Sequence, residues 1–94
     1  MANDVLIPTP LRAYAGQQEI VQVEGKTVGE LLQNLTAKYS ELHNHLYNED
    51  GRLRSFVNVY LNDDDIRYLD KEATAVKEGD TLSIVPSVAG GSDE

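Results

Sequence analysis

One stretch of the chain has the hydrophobic period of a helix, and stretches with the period of strands lie on either side of it. Thr27 with Glu30 three residues later forms a capping-box pattern that starts this helix. Gly29, in the first turn, costs about 1 kcal/mol relative to alanine. Ser40 indicates a break before a second short helix, and NEDGR at 48–52 ends the helical region with turn residues. The apolar positions at helical spacing are Val28, Leu31, Leu32, Leu35, Tyr39, Leu42 and Leu46.

Two strands are predicted before the helix. DVLIP at 4–8 is an apolar run followed by prolines that cannot donate to a ladder, which indicates a first strand near an edge of the sheet. EIVQVEG at 19–25 alternates, with Val21 and Val23 on one face. Gly16 marks the turn between the two segments, so together they predict a hairpin. The other face of the second strand carries Ile20, Gln22 and Glu24.

Further strands follow the helix. RSFVNVYLND at 54–63 is the clearest strand pattern and predicts a central strand, while TLSIVP at 81–86 predicts the last one. DDDIRYL at 63–69 indicates a turn into a short strand, and 70–80 indicates irregular chain with one helical turn at most and a tight turn at Gly79. The residues predicted to face the helix are Val57, Val59, Leu61, Leu82 and Ile84.

The order of these elements limits the fold. One amphipathic helix covers only one face of a sheet, so the other face stays open. This arrangement predicts an α+β chain with the β-grasp (ubiquitin-like) fold, a mixed four- to five-stranded sheet with one main helix packed across one face. Ninety-four residues suit one domain. We assign residues 1–86 to it and 87–94 to a flexible C-terminal tail.

Charge and composition exclude several classes of function. Sixteen acidic and eight basic residues give a net charge of −8, which disfavours nucleic acid and anionic membranes as partners and favours a basic surface of another protein. Cysteine is absent, which excludes disulfides, thiol nucleophiles and thiolate metal ligands. No apolar stretch approaches the roughly 20 residues of a membrane span, and the first ten residues do not resemble a secretory signal. These features predict a cytoplasmic protein.

Two long segments resemble a known family. IPTPLRAYAGQQEIVQVEGKTVGELLQNL at 7–35 and RSFVNVYLNDDDIRYLDKEATAVKEGDTLSIVPSVAGG at 54–91 are similar to the ubiquitin-like sulfur carriers, typified by the small subunit of molybdopterin synthase and the thiamine-pathway carrier. The likeness is strongest to the carriers of the cysteine pathway. It covers nearly the whole chain up to Gly91, where a β-grasp order is followed by the pattern P-x-V-A-G-G.

The resemblance implies a carrier that partner enzymes act on, with no catalytic residue, bound metal or bound cofactor of its own. In that family an E1-like adenylating enzyme uses ATP to activate the carboxylate of the terminal glycine, and a sulfur donor then displaces AMP. The thiocarboxylate delivers sulfur to an acceptor enzyme, which here would be cysteine synthase-like or molybdopterin synthase-like. By this likeness Gly91 carries the thiocarboxylate. Ala89 and Gly90 form a flexible leash, since glycine passes narrow channels easily.

The chain departs from the usual family pattern after the glycine pair. Ser92, Asp93 and Glu94 follow Gly91, whose carboxyl group is therefore held in a peptide bond and cannot be adenylated. Family members with such extensions are processed by a zinc-dependent JAMM-type protease. The bond between Gly91 and Ser92 is accordingly the predicted processing bond, and Ser92–Glu94 is a predicted removable cap.

The open face of the sheet is the second candidate site. Strand alternation places Phe56, Tyr60 and Val85 there, with Ile20 by register, and such a group suits docking of a partner enzyme. Scattered exposed apolar residues are also normal on protein surfaces. His43 and His45 lie about 200° apart around a helix and cannot chelate one metal together. NDDDI lacks the pattern of a calcium loop and is interpreted as a solvated turn.

Two other functions remain open from the sequence. A ubiquitin-like modifier would use the same adenylation but join Gly91 to a lysine of a target protein. A non-catalytic binding module would not need residues 90–94 at all.

Overall fold

The computed structural model describes residues 2–86, which form one mixed five-stranded sheet with helices against one face. Its strands are β1 Ala2–Leu6, β2 Ile20–Glu24, β3 Val57–Leu61, β4 Asp64–Asp65 and β5 Thr81–Pro86. Its α-helices are α1 Val28–Lys38 and α2 Glu41–Leu46. Short 3₁₀ helices cover Thr9–Tyr14, Ile66–Tyr68 and Lys71–Ala73.

The order of the strands confirms the β-grasp prediction. Across the sheet it is β2-β1-β5-β3-β4. β1 and β2 form the predicted antiparallel hairpin, β1 runs parallel to β5, and β5 runs antiparallel to β3. β1 is second from the edge, as expected. β3 has partners on both sides, but the middle position belongs to β5, the strand that leads to the tail.

Local signals fix both ends of α1. The Thr27 hydroxyl accepts a hydrogen bond from the Glu30 amide at 3.2 Å, which confirms the predicted cap. The Glu30 carboxylate accepts in return from the amide of Lys26 at 2.7 Å, one residue before the position that a standard capping box uses. α1 ends at Lys38 and α2 begins at Glu41, so the predicted break at Ser40 is confirmed.

The predicted inward-facing strand residues are all buried. They pack with the apolar face of α1 into one core, as strand alternation required. This outcome holds for Val57, Val59, Leu61, Leu82 and Ile84.

Three segments differ from the sequence-based expectation. Residues 9–14, assigned to the hairpin connection, form a 3₁₀ helix. Pro10 suits the start of this helix, and the side chain of its own Leu11 is buried in the core. β3 begins at Val57 because its amide bonds the Arg54 carbonyl at 2.9 Å and closes a turn, which leaves Phe56 outside the strand. Asp65, interpreted as part of a solvated turn, is buried.

Asp65 is buried because Arg67 neutralises it. The Arg67 guanidinium donates to both carboxylate oxygens, with the shortest contact at 2.8 Å. These bonds and the charge of Arg67 hold the pKa of the Asp65 carboxyl below its ordinary value.

Within residues 2–86, no helix has the length and hydrophobicity needed to cross a bilayer.

Candidate functional site

The base of the tail is the last residue of the central strand. β5 lies between β1 and β3, and Pro86 pairs opposite Val57 at the end of the β3–β5 ladder. The predicted leash and processing residues, Ala89 to Ser92, lie outside the residues that the structure describes. The structure therefore describes Pro86, from which the tail continues, and the surfaces around Pro86.

Side-chain hydrogen bonds fasten the beginning of β5 from both neighbouring strands. From β1, the buried Asn3 amide donates to the carbonyls of Lys77 and Asp80 at 2.8 and 2.9 Å. From the end of β3, the Asn62 side-chain oxygen accepts from the Thr81 amide at 3.0 Å, and the Asn62 backbone N–H donates to the Thr81 carbonyl at 2.7 Å. Because both ends of β5 are paired, the tail departs from a fixed point.

The Asp80 carboxylate closes the turn that precedes β5. One oxygen accepts from the Lys77 amide at 2.8 Å, and the other accepts from the Asn62 side chain at 3.1 Å. These hydrogen bonds favour the charged form and hold the pKa of Asp80 below its ordinary value of 3.8. Asn62 itself has a φ of +58°, in the left-handed region that asparagine tolerates better than most residues.

Strand register defines an apolar surface on the open face, which we call the open-face patch. Ile20, Leu6, Ser83 and Tyr60 lie in one row across β2, β1, β5 and β3. Val85 lies two residues further along β5, so it is a diagonal neighbour of Tyr60. Ile20 is 46% exposed and Val85 is 45% exposed, whereas Tyr60 and Leu6 are half-buried.

Leu6 is the member of this patch that the sequence prediction missed. Alternation in DVLIP contains the signal, because the burial of Val5 and Ile7 requires Leu6 to face the other way. The structure brings Tyr60 and Val85 together with Ile20, as predicted.

Phe56 lies at the end of the sheet rather than in that row. It is 38% exposed and lines a cavity of about 330 Å³ together with Leu11, His45 and Pro86. Strand alternation does not apply to it, because it precedes the first residue of β3. Phe56 therefore borders the base of the tail, and its position relative to a docking partner differs from that of Tyr60.

A groove on the other side of Pro86 contains a cation that the sequence did not single out. This groove, about 500 Å³ in volume, extends from Leu6 and Val85 to Arg12 and Glu19. The Arg12 Nε donates to the Ile7 carbonyl at 3.0 Å, which holds its guanidinium beside the groove. Arg12 reaches this place because residues 9–14 form a 3₁₀ helix, and no motif in the sequence predicts that helix.

The two histidines lie against different aromatic rings. His43 stacks on Tyr47 with ring centroids 5.1 Å apart, and His45 stacks on Tyr14 at 4.1 Å. Among residues 2–86, no group of three or more His, Cys, Asp or Glu side chains is placed to hold a metal ion.

The sequence as a whole matches one family of proteins. The model of the ThiS family matches residues 5–91. The sulfur carrier protein CysO of Mycobacterium tuberculosis is 43% identical over 93% of this chain and 96% of its own length. Small archaeal modifier protein 3 of Haloferax volcanii is 45% identical over 85% of this chain and 88% of its own length.

A solved structure agrees with these matches. The Amycolatopsis orientalis BexX/CysO complex contains a chain with a TM-score of 0.86 and 40% identity to this one. The likeness covers 96% of this chain and all of that chain. The shared fold therefore includes nearly every residue described above.

Proposed function

Because the chain belongs to the ThiS family of ubiquitin-like sulfur carriers, we propose that it carries sulfur as a thiocarboxylate on Gly91. One observation supports the choice of residue above the others. The family match ends at Gly91, and the residues that follow fall outside it. In this role the protein is a cosubstrate on which partner enzymes act.

The proposed chemistry has two covalent steps at the Gly91 carboxyl group. A carboxylate oxygen attacks the α-phosphorus of ATP, pyrophosphate leaves, and an acyl-adenylate forms. A sulfide nucleophile then attacks the carbonyl carbon, and AMP leaves with its bonding electrons. Activation divides a difficult substitution into two easier ones. An E1-like adenylating enzyme would provide the catalytic groups for both steps.

The folded domain supplies a fixed origin for this carboxylate. Hydrogen bonds with Asn3 and Asn62 hold the start of β5, and its last two residues remain in the ladder with β3, where Val85 lies opposite Asn58 and Pro86 opposite Val57. Residues 87–91 span at most roughly 18 Å when extended, at about 3.3–3.6 Å per residue. A partner that docks on the open-face patch must therefore have its reactive centre within that distance of Pro86.

Cleavage has to precede activation in this proposal. Ser92 follows Gly91, so a protease, for which a JAMM-type zinc enzyme is the proposed class, hydrolyses that peptide bond and frees the carboxylate. We further propose that a cysteine synthase-like enzyme accepts the sulfur. The likeness to sulfur carrier protein CysO supports this acceptor over molybdopterin or thiazole assembly.

Intact-mass measurement tests the proposal. The full chain and a chain ending at Gly91 are each incubated with the adenylating enzyme of the same organism, ATP and sulfide. We expect the shortened chain alone to gain the mass that corresponds to replacement of one oxygen by sulfur. A chain ending at Gly90 serves as the length control. A sulfur adduct on the full chain would refute the need for cleavage, and no adduct on any chain would refute the carrier proposal.

The modifier function is a second candidate because of the 45% identity to small archaeal modifier protein 3. It shares the adenylate, but here the amine of a target lysine attacks the Gly91 carbonyl carbon, AMP leaves with its bonding electrons, and loss of the amine proton leaves an isopeptide bond. Incubation of the Gly91-ending chain with cell extract, ATP and the adenylating enzyme distinguishes the two functions. Conjugates of higher mass that disappear when Gly91 is deleted support modification. Thiocarboxylate without conjugates supports sulfur transfer alone.

A further inference from the structure

Half of the lysine and arginine residues of this acidic chain line one cavity. The chain has eight such residues and a net charge of −8. Four of them surround a cavity of about 560 Å³ at the β3 side of the sheet, which we call the basic cavity. These four residues are Arg52, Arg54, Arg67 and Lys71.

Two of the arginines are held in place through hydrogen bonds that, within residues 2–86, involve only some of their guanidinium nitrogens. The Arg54 Nε donates to the Asn44 carbonyl at 3.0 Å. Arg67 donates to Asp65 through Nε and one terminal nitrogen, yet its side chain remains 59% exposed. A guanidinium positioned in this way retains donors in the planar fork that suits phosphate and carboxylate groups.

The positive charge of the cavity is compensated only in part. Within residues 2–86, the ion pair of Arg67 with Asp65 is the one that involves a lining cation. Glu72 is the single acidic residue among those that line the cavity. Clustered cations repel one another, and an anion placed among them would relieve that repulsion.

The floor of the cavity is apolar. Val57, Val59 and Ile66 are buried residues that also line this space, and Ser55 is a further lining residue with a hydroxyl group. A volume of about 560 Å³ lies within the range of small-molecule sites, roughly 300–1,000 Å³, in which apolar walls carry a few convergent polar groups.

Lys71 reaches the cavity from an unusual backbone conformation. Its φ is +55°, in the left-handed region that side chains other than glycine, asparagine and aspartate seldom adopt. Such conformations occur preferentially at functional sites, where the surrounding structure maintains them.

We propose that the basic cavity binds a small molecule that has a phosphate group on an apolar or planar body. The arginine donors, Lys71 and Ser55 bind the phosphate, and the buried valines and Ile66 contact the body. This inference does not use the tail, so it stands or falls separately from the proposed function.

Charge favours a small ligand over an acidic protein. An acidic partner surface would face the net negative charge of the whole chain over a large contact area, which disfavours its approach. A small phosphorylated molecule enters the cavity and contacts only the cations there. Screening over about 8–10 Å at ordinary salt weakens the repulsion by the more distant acidic residues.

Nuclear magnetic resonance of the full ¹⁵N-labelled chain tests the inference with three probes. Phenyl phosphate has both ligand features, inorganic phosphate has only the anion, and phenol has only the body. We expect phenyl phosphate to shift the amide signals of Leu53, Ser55, Ile66 and Lys71 in a saturable manner and at lower concentration than either of the other probes. No saturable shift up to about 10 mM, the range of weak millimolar binding, would refute the proposal.

Two matched double variants distinguish binding at the cavity from general attraction by net charge. Arg52→Gln with Lys71→Gln removes two lining cations whose side chains make no hydrogen bond to residues 2–86. Lys26→Gln with Lys38→Gln makes the same charge change outside the cavity. We expect the first pair to weaken phenyl phosphate binding by roughly tenfold and the second to change it little.

Two results would overturn the assignment of the ligand. Equal weakening in both double variants would mean that net charge, and not the cavity, determines binding. An acidic peptide of glutamates that binds at the same amides more tightly than phenyl phosphate would make the cavity a protein-docking site.

Discussion

Pro86 lies directly opposite Val57, so the strand that leads to Gly91 remains paired with β3 until its last residue. Proline has no amide hydrogen to donate and is found at the ends of ladders, which makes this pair a natural end of the sheet. Any partner that draws the tail into its active site pulls on a strand with neighbours on both sides.

Removal of core volume from β5 will destabilise the whole domain. Leu82 is fully buried in the central strand, and Leu82→Ala should lower the free energy of unfolding by about 2–5 kcal/mol. Val85 is in the same strand but exposed, so Val85→Ala should change it by less than about 0.5 kcal/mol. Urea denaturation measures both. Similar losses for the two variants would contradict the assigned faces of β5.

The Asn3 side chain should contribute to the stability of the domain although it is polar. Asn3→Ala leaves the carbonyls of Lys77 and Asp80 without their donor near the start of β5, and we expect a loss of about 1–3 kcal/mol in unfolding free energy. Gln22→Ala removes an exposed side-chain hydrogen bond to Asp4 and should have little effect. Equal urea midpoints for wild type and Asn3→Ala would mean that the two Asn3 hydrogen bonds do not contribute to stability.

The open-face patch should bind the adenylating enzyme. Tyr60→Ser and Val85→Ser are expected to weaken that complex by roughly tenfold or more, because apolar residues at the centre of an interface dominate its affinity. Calorimetric titration with the enzyme measures the change. Ala37→Ser, on the exposed face of α1 at the opposite side of the sheet, is the control and should bind as wild type does. Unchanged affinity in both patch variants would exclude this surface.

The phenol of Tyr47 should ionise at a higher pH than an ordinary tyrosine. Burial, with a smaller contribution from the charge of Glu72, raises the pKa of Tyr47 from 10.0 to about 12. The folded state then keeps a proton that the unfolded state loses, so unfolding free energy should fall as the pH rises from about 10 to about 12. Phenolate absorbance and urea denaturation follow the two effects. Tyr47→Phe should remove the phase of the titration near pH 12 and flatten that pH dependence.

A side chain at Gly90 should impair charging without altering the fold. In the chain that ends at Gly91, Gly90→Val adds a branched Cβ to the leash and should slow thiocarboxylate formation, because a narrow channel admits glycine best. Its urea midpoint should match that of wild type. Ala89→Ser is the control and should charge normally. Equal charging rates for Gly90→Val and wild type would argue against a narrow channel.

The sequence by itself determined the elements that depend on local patterns. Thr27 and Glu30 identify the start of α1 because a cap needs only neighbouring residues. The alternation of β3 and β5 identifies their buried faces because neighbouring side chains in a strand must point in opposite directions. With one helix available to cover one face, these patterns were sufficient to predict the β-grasp fold.

Only the tertiary structure decided which distant residues meet. Asn3 clamps the turn before β5 from more than seventy positions away, and Arg52 shares a cavity with Lys71 because a loop and a 3₁₀ helix converge beside β3. Gly29 gives another example. The sequence shows that glycine lowers helix stability at this position. It does not show that glycine avoids a close contact there, because a Cβ at Gly29 would lie 3.1 Å from the carbonyl oxygen of the distant Glu72. Such contacts depend on how the elements pack, and local propensity contains no information about them.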